Sequence, residues 1–329
     1  MMKYVNYPTT EVRRLTFYLA TEEYLAIHYP KDEYFFMWQV QPTVIFGRNQ
    51  LIENEVNLDF VRSNNIQYYR RKFGGGCVFA DFSNIMFSFI TPHFNKEFVF
   101  DSYLSRVVNV LKSLGLNAEF SGRNDILVDG RKVSGNAFYQ VNNRSVVHGT
   151  MLFDTDMSLL VRSITPANEK LISKGVESVR SRVMNLKEKL TIDIEEFKAV
   201  MKRLLSDDAI VLSPSDLEGI AKIEEGYLKE DFIYGKNPKY ELIKKGRVAA
   251  GTIEIAFELK NNIVRGVNIL GDYFVLGDVE AAIERLKGVE LTRPAFEKAL
   301  ENVELSDYIR QFTTADFLEI IFQNANFVL

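Results

Sequence analysis

The apolar positions change period several times along the chain, and each change predicts an element. Residues 10–28 place Val12, Leu15, Tyr18 and Leu25 at helical spacing behind Thr9 or Thr10 as an N-cap, so a helix is expected there. β-rich runs follow at Glu33–Gln39 and Thr43–Phe46, then a short helix at Asn57–Asn64. Ile66–Arg71 reads as a strand feeding directly into Gly74-Gly75-Gly76, and Ile85–Thr91 as another. Ser102–Leu114 is amphipathic, with Gly115 placed to end it. Asp129-Gly130 between extended runs predicts a two-residue type I′ hairpin. Val146–Asp154 is a further strand, and Ser158–Ile164, Ile194–Leu205 and Ser215–Glu230 return to helical spacing.

The pattern breaks at Gly235-Lys236-Asn237-Pro238, followed by Lys244-Lys245-Gly246-Arg247. We therefore expect an α/β (α+β) domain with mixed sheets over 1–240, a linker at about 241–247 and a small α/β domain over 248–329. The small domain is assigned strands at Thr252–Leu259 and Ile263–Ile269, and helices near Val279–Leu286, Arg293–Leu300 and Thr314–Phe322. No internal repeat or low-complexity tract interrupts either part.

Composition narrows the function. The 329 residues are 47% hydrophobic and 26% charged, which is globular rather than disordered. A net charge of −4 argues against a general nucleic-acid binder, though not against a local basic site. One cysteine excludes an internal disulfide and a Cys-rich metal site, and three histidines exclude a multi-His site. The first residues, MMKYVNYPTTEVRR, lack the apolar core of a signal peptide, and no run approaches the roughly 20 apolar residues of a membrane span. A cytoplasmic protein without membrane attachment is expected.

Candidate chemistry lies in four segments. Arg70-Arg71-Lys72-Phe73-Gly74-Gly75-Gly76 combines guanidinium forks with backbone that can approach an anion, so it fits an oxyanion or nucleotide site; a tight turn beside solvated charges fits equally. It is not a P-loop, because GxxxxGK[ST] is absent. Lys132 lies just past the hairpin turn near Ser134 and Gly135, where an ammonium can hold a phosphoryl or carboxylate oxygen, and Asp125 could place a divalent cation; an exposed surface hairpin is the plain alternative. His148, followed by Gly149, reads on its own as structural. Arg180 and Arg182 suit a phosphate, an acidic partner or solvent. Cys77 has no local histidine to activate it and reads as a small loop residue.

Taken in order, IFGRNQ at 45–50, RRKFGGGCVFAD at 70–81, NIMFSFIT at 84–91, SGRNDILVDGRKVSGNA at 121–137, HGTMLF at 148–153 and KGVESVRSRV at 174–183 resemble the lipoate–protein ligase family. YGKNPKYEL at 234–242 resembles the start of that family's C-terminal domain. The resemblance implies a catalytic domain related to biotin ligases and a mobile accessory domain. It implies ATP and Mg2+ as co-substrate and activator, lipoate as substrate and no tightly bound prosthetic group. The reaction it implies passes through lipoyl-AMP to a lysine of a lipoyl domain, in a 2-oxoacid dehydrogenase E2 subunit or a glycine-cleavage H protein. A monomer is the family default. Lys132 takes the position of the central lysine and Arg71 that of the phosphate-contacting arginine. By the same resemblance, Gly74, Gly75, Gly76, Cys77, Val78 and Phe79 are expected to line the nucleotide and acyl site, with Arg70, Asn124, Asp125, Ser134, Gly135, His148 and Gly149 around the same pocket. Two departures stand out: Ala80 replaces a histidine common in the family before Asp81, and the tryptophans often found before YGK are missing. An ATP-independent lipoyl or octanoyl transferase and a non-catalytic lipoylation partner are the competing readings; the glycine loop differs from that of biotin ligases.

Overall fold

In a computed structural model of the chain, the structure describes residues 1–50, 52–93, 96–121, 124–164, 181–234, 242–260 and 262–322. The expectations resting on Gly122, Arg123, Gly175, Arg180 and the break at 235–238 lie outside these residues. Among the described residues no helix is long and apolar enough to cross a membrane.

The chain divides into two compact units. One comprises Met1–Phe46, Ile52–Arg71 and Cys77–Ile233; the other comprises Gly47–Leu51, Lys72–Gly76 and Tyr234–Leu329. The first unit is built on eight strands: β1 (Met2–Asn6), β2 (Glu33–Trp38), β6 (Asn84–Thr91), β7 (Ala118–Ser121), β8 (Asp125–Val128), β9 (Arg131–Val141), β10 (Arg144–Leu152) and β11 (Asp208–Val211). They lie in the order β11-β1-β2-β6-β10-β9-β8-β7. β1 is parallel to both its neighbours, and the remaining pairs are antiparallel. Three shorter strands, β3 (Thr43–Phe46), β4 (Gln67–Arg70) and β5 (Val78–Ala80), form a second sheet in the order β4-β3-β5.

Apolar spacing explains the layers. Helix Lys96–Ser113 sets Val99, Tyr103, Val107 and Leu111 on one stripe, and these pack in one core with Phe87, Phe89, Val147 and Met151 of the large sheet. Helix Ile194–Leu205 joins the same core through Phe197, Met201 and Leu205, and begins at Asp193, whose side chain accepts from the Glu196 amide.

Several boundaries differ from expectation. The first helix runs Leu15–His28, not from Thr9 or Thr10, and Arg14 at its N-cap offers no side-chain cap bond. Val12 is half exposed, so it never joined the buried stripe that defines the helix. The segment expected as a linker is a strand, β12 (Leu242–Val248). It pairs with β13 (Gly251–Lys260), which pairs with β14 (Ile263–Gly271). Lysines and a glycine masked the strand in sequence, yet alternate positions are half-buried, as for a sheet with one covered face. Helices Arg293–Ala299 and Thr314–Phe322 close this second core through Phe296, Phe317 and Ile321 against Ile253, Ile255 and Phe257.

Candidate active site

The predicted hairpin is present: Asp129 and Gly130 have φ of 50° and 75°, as a type I′ turn requires. It delivers Lys132 onto β9. Lys132 and Gly135 are three residues apart, so a regular strand would place them on opposite faces. The register slips between Ile126 and Leu127, however. Ser134 opposes Ile126 while Lys132 opposes Leu127, leaving Val133 as the extra residue of a bulge. The bulge returns Lys132 to the face of Gly135 and Asp125. There its Nζ lies 2.7 Å from Asp125 Oδ1. A Cβ built on Gly135 would stand 2.9 Å from that Nζ and 3.0 Å from Cε, so the lysine lies directly over the glycine. Thr150 opposes Gly135 on β10, and His148 opposes Ala137. Gly135, Ala137 and Thr150 therefore share the face of the ammonium with His148 and Leu127.

The opposite face is braced by asparagine. Asn136 opposes Gly149, where a Cβ would fall 2.0 Å from Asn136 Oδ1. The Asn136 amide donates to the Asn124 carbonyl (2.9 Å) and to Ser134 Oγ (3.1 Å), and Asn124 Nδ2 donates to the Asn136 carbonyl (3.0 Å). By the pleat, Ser134 and Gly149 share this face rather than that of the ammonium; what they touch is the side chain that pins Asn124, next to Asp125.

Other nominated residues fall into separate roles. Arg71 is buried on the strand end after β4, where burial brings its guanidinium down to about 10 despite the opposing pull of Cys77 and Glu55. Desolvation also pushes the thiol of the half-buried Cys77 well above its ordinary range, with Glu55 adding to the effect, which disfavours a thiolate there. Arg70 is an anchor: its Nε donates to the carbonyls of Phe232 (2.9 Å) and Ile233 (3.0 Å), and its guanidinium stands 4.7 Å over the Phe46 ring. Val78 pairs with Ile45, and Phe79, buried on β5, pairs with Val44. Ala80 is fully buried, and Asp81 accepts from the Ser83 amide and hydroxyl, fixing the turn into β6.

His148 sits in a buried polar network that the sequence did not reveal. Its Nδ1 is 3.1 Å from Glu22 Oε1, Tyr139 donates to Glu22 Oε2 at 2.8 Å, and Ser88 donates to the same carboxylate. Burial and the neighbouring Glu22 keep the Tyr139 hydroxyl protonated far above neutral pH. With two hydroxyls already donating, Glu22 accepts on both oxygens and Nδ1 of His148 is the donor. Two adjacent acids, Glu22 and Glu23, in an otherwise apolar helix were the available signal.

The glycine triplet belongs to the second unit. Gly75, with φ 96°, donates its amide to the Tyr273 carbonyl at 3.0 Å. A Cβ on Gly74 would fall 2.2 Å from that carbonyl oxygen. Glycine is thus required here by a close main-chain approach. In the same unit the Arg48 amide donates to the Phe73 carbonyl and its guanidinium meets Glu280 at 3.2 Å.

Asp125 Oδ1 is buried and lies 2.7 Å from the Lys132 ammonium without accepting a hydrogen bond. No group of three His, Cys, Asp or Glu side chains able to hold a metal occurs among the described residues, and Mg2+ carried on a triphosphate needs only one or two protein carboxylates. A cavity of about 510 Å3 elsewhere in the first unit is lined by Tyr4, Tyr18, Trp38, Phe82, Lys198 and Lys202, and by none of the nominated residues.

Residues 15–206 match the model of the lipoyl protein ligase A/B catalytic domain. The chain belongs to the lipoate–protein ligase family. Residues 237–321 match the bacterial lipoate protein ligase C-terminus. The chain is 37% identical over 316 residues to the lipoate–protein ligase LplJ of Bacillus subtilis, covering 92% of this chain and 96% of that one. Among solved structures, LipL1 of P. falciparum in complex with lipoate superposes with a TM-score of 0.79 at 21% identity over 97% of each chain. A lipoate–protein ligase A bound with ATP gives 0.59 at 22% identity over 71% of this chain and 98% of the other. These two likenesses are of fold. The assignment to a ligase enzyme rests on the family match and the relative in Bacillus.

Proposed function

We propose that this enzyme activates lipoate with ATP and attaches it to an acceptor lysine, a salvage reaction. The observation that carries the reading is the Lys132 ammonium mounted over Gly135 beside Asp125. In the first step a lipoate carboxylate oxygen attacks the α-phosphorus of ATP. The new P–O bond forms as the bond to diphosphate breaks, giving lipoyl-AMP. Two anions must meet, and a fixed ammonium lowers their repulsion and stabilises the charge that moves onto the leaving group. Arg71 is assigned to phosphate, Gly74, Gly75, Gly76 and Cys77 to the nucleotide loop, and Val78 and Phe79 to the apolar wall. Asn124 and Asp125 support Lys132 from the hairpin, and magnesium travels with the triphosphate. In the second step the acceptor ε-amine attacks the acyl carbon, loses a proton and displaces AMP. The fold shared with lipoate-bound and ATP-bound proteins supports this assignment.

We assign catalysis to residues 1–240 and an accessory role to 248–329, in a cytoplasmic monomer. The acceptors are lipoyl domains of 2-oxoacid dehydrogenase E2 subunits or glycine-cleavage H protein. The test is mass spectrometry of an unmodified lipoyl domain incubated with enzyme, lipoate, magnesium and ATP. A lipoyl adduct that requires ATP is expected. Acyl transfer from a carrier without ATP would replace the reading by a transferase, and no adduct under either condition would leave a non-catalytic partner.

A further inference from the structure

The sequence offers Asp125 as a cation ligand, and the structure surrounds Lys132 with features that only make sense together. β9 carries one extra residue, Val133, whose side chain is fully buried. Without it, Lys132 would point to the other face of the sheet. Position 135 has no side chain, and its backbone does not fall among the glycines with positive φ, so the missing Cβ is not explained by backbone conformation. It is explained by the lysine, whose Nζ and Cε occupy that space. Asp125 stands opposite Gly135 in register and meets the ammonium at 2.7 Å. The backbone of Lys132 is tied on its other side: its carbonyl accepts from the Met184 amide at 3.0 Å, and it bridges to Val183. A free lysine side chain samples many rotamers. This one has a bulge to set its face, a notch to receive its tip and a carboxylate to fix its end.

We propose that Asp125 is a positioning residue for Lys132, and that Asp125, Gly135 and the Val133 bulge form one cradle that aims the ammonium. The proposal deepens the adenylation reading above and rests on it. Asp125 acts through the lysine and not through a metal. It is also the anion that keeps the ammonium in place until an anionic substrate competes for it.

The test uses full-length enzyme and lipoate-dependent exchange of diphosphate into ATP, with KM, kcat and the magnesium activation curve measured for each variant. Asp125→Ala is expected to lower kcat by about 10–100-fold, the scale of a catalytic group displaced by about 1 Å. KM for ATP should stay within about 2-fold. Asp125→Asn, whose amide oxygen still accepts from the ammonium, should recover at least about 5-fold over alanine. Gly135→Ala displaces only the flexible end of Lys132, so the protein should fold and show a similar kcat loss. The double variant should be little worse than either single one, because both remove the same placement. A shift of the magnesium curve in Asp125→Asn, or additive losses in the double variant, would overturn the proposal. Absence of exchange by the unaltered enzyme would instead overturn the adenylation reading.

Discussion

Gly149→Ala tests the brace beneath the candidate site. The added methyl would fall 2.0 Å from Asn136 Oδ1, 2.9 Å from its Cγ and 3.1 Å from Phe87 Cζ. Phe87 is fixed in the main core, so the Asn136 amide must move. Moving it breaks the bonds to the Asn124 carbonyl and Ser134 Oγ. Each is worth about 0.5–1.5 kcal/mol, and an amide left buried without partners costs about 1–3 kcal/mol. The expected loss is therefore about 2–4 kcal/mol, or roughly 4–16 °C in Tm at about 2–4 °C per kcal/mol for a unit of this size. Thermal and urea unfolding would read it, with Asn136→Ala and the double variant completing a cycle. Once the amide is gone, the methyl meets only Phe87, and its cost should fall below about 1 kcal/mol. Additivity of the two changes to within about 0.5 kcal/mol would refute the steric account.

Lys132→Ala should leave unfolding within about 1 kcal/mol of the parent, since its ion pair is partly exposed, while diphosphate exchange falls by about 100-fold or more; near-normal exchange would remove its assigned role. Arg71→Met should keep or raise Tm while KM for ATP rises more than KM for lipoate. The folded guanidinium titrates near 10, below its ordinary value, so the charged form is disfavoured by folding at every pH below that and the penalty fades only above it. The stability gain should accordingly be flat from pH 7 to 9. Cys77→Ala should change ligation less than about 3-fold, because burial withholds the thiolate; complete loss, with acyl-enzyme in the parent by mass spectrometry, would favour a transferase. Gly74→Ala should speed amide exchange at residues 272–274, because the added Cβ meets a main-chain oxygen that cannot rotate away.

Local signals were read well where one residue type dictates the backbone. Asp129-Gly130 predicted a turn, the spacing over Ile194–Leu205 predicted a helix, and Gly115 ends another with φ 83°. What escaped depends on partners distant in sequence. Glu22 was not singled out in the sequence, and its role appears only once β6, β9 and β10 bring Ser88, Tyr139 and His148 around it. The bulge at Val133 is a property of pairing with β8 and leaves no mark in the RKVSG segment itself. Asp125 was read as a residue that could place a divalent cation; the coordinates add that it stands 2.7 Å from the Lys132 ammonium, a contact the sequence alone does not show. Gly74 and Gly75 were read as anion-seeking backbone, and their small size also serves a carbonyl at Tyr273.

The placement of β1 bears on how the molecule is made. Met2 bonds to Asp207 across 205 residues, and β11 is the outer neighbour of a strand synthesised that many residues earlier. At about 5–20 residues per second, some 205 residues take roughly 10–40 s to follow. For that interval the nascent chain can offer β1 only its partner on the β2 side, leaving its other row of amides and carbonyls open to foreign strands. Shielding that edge until β11 has been made is expected to raise the yield of folded chain.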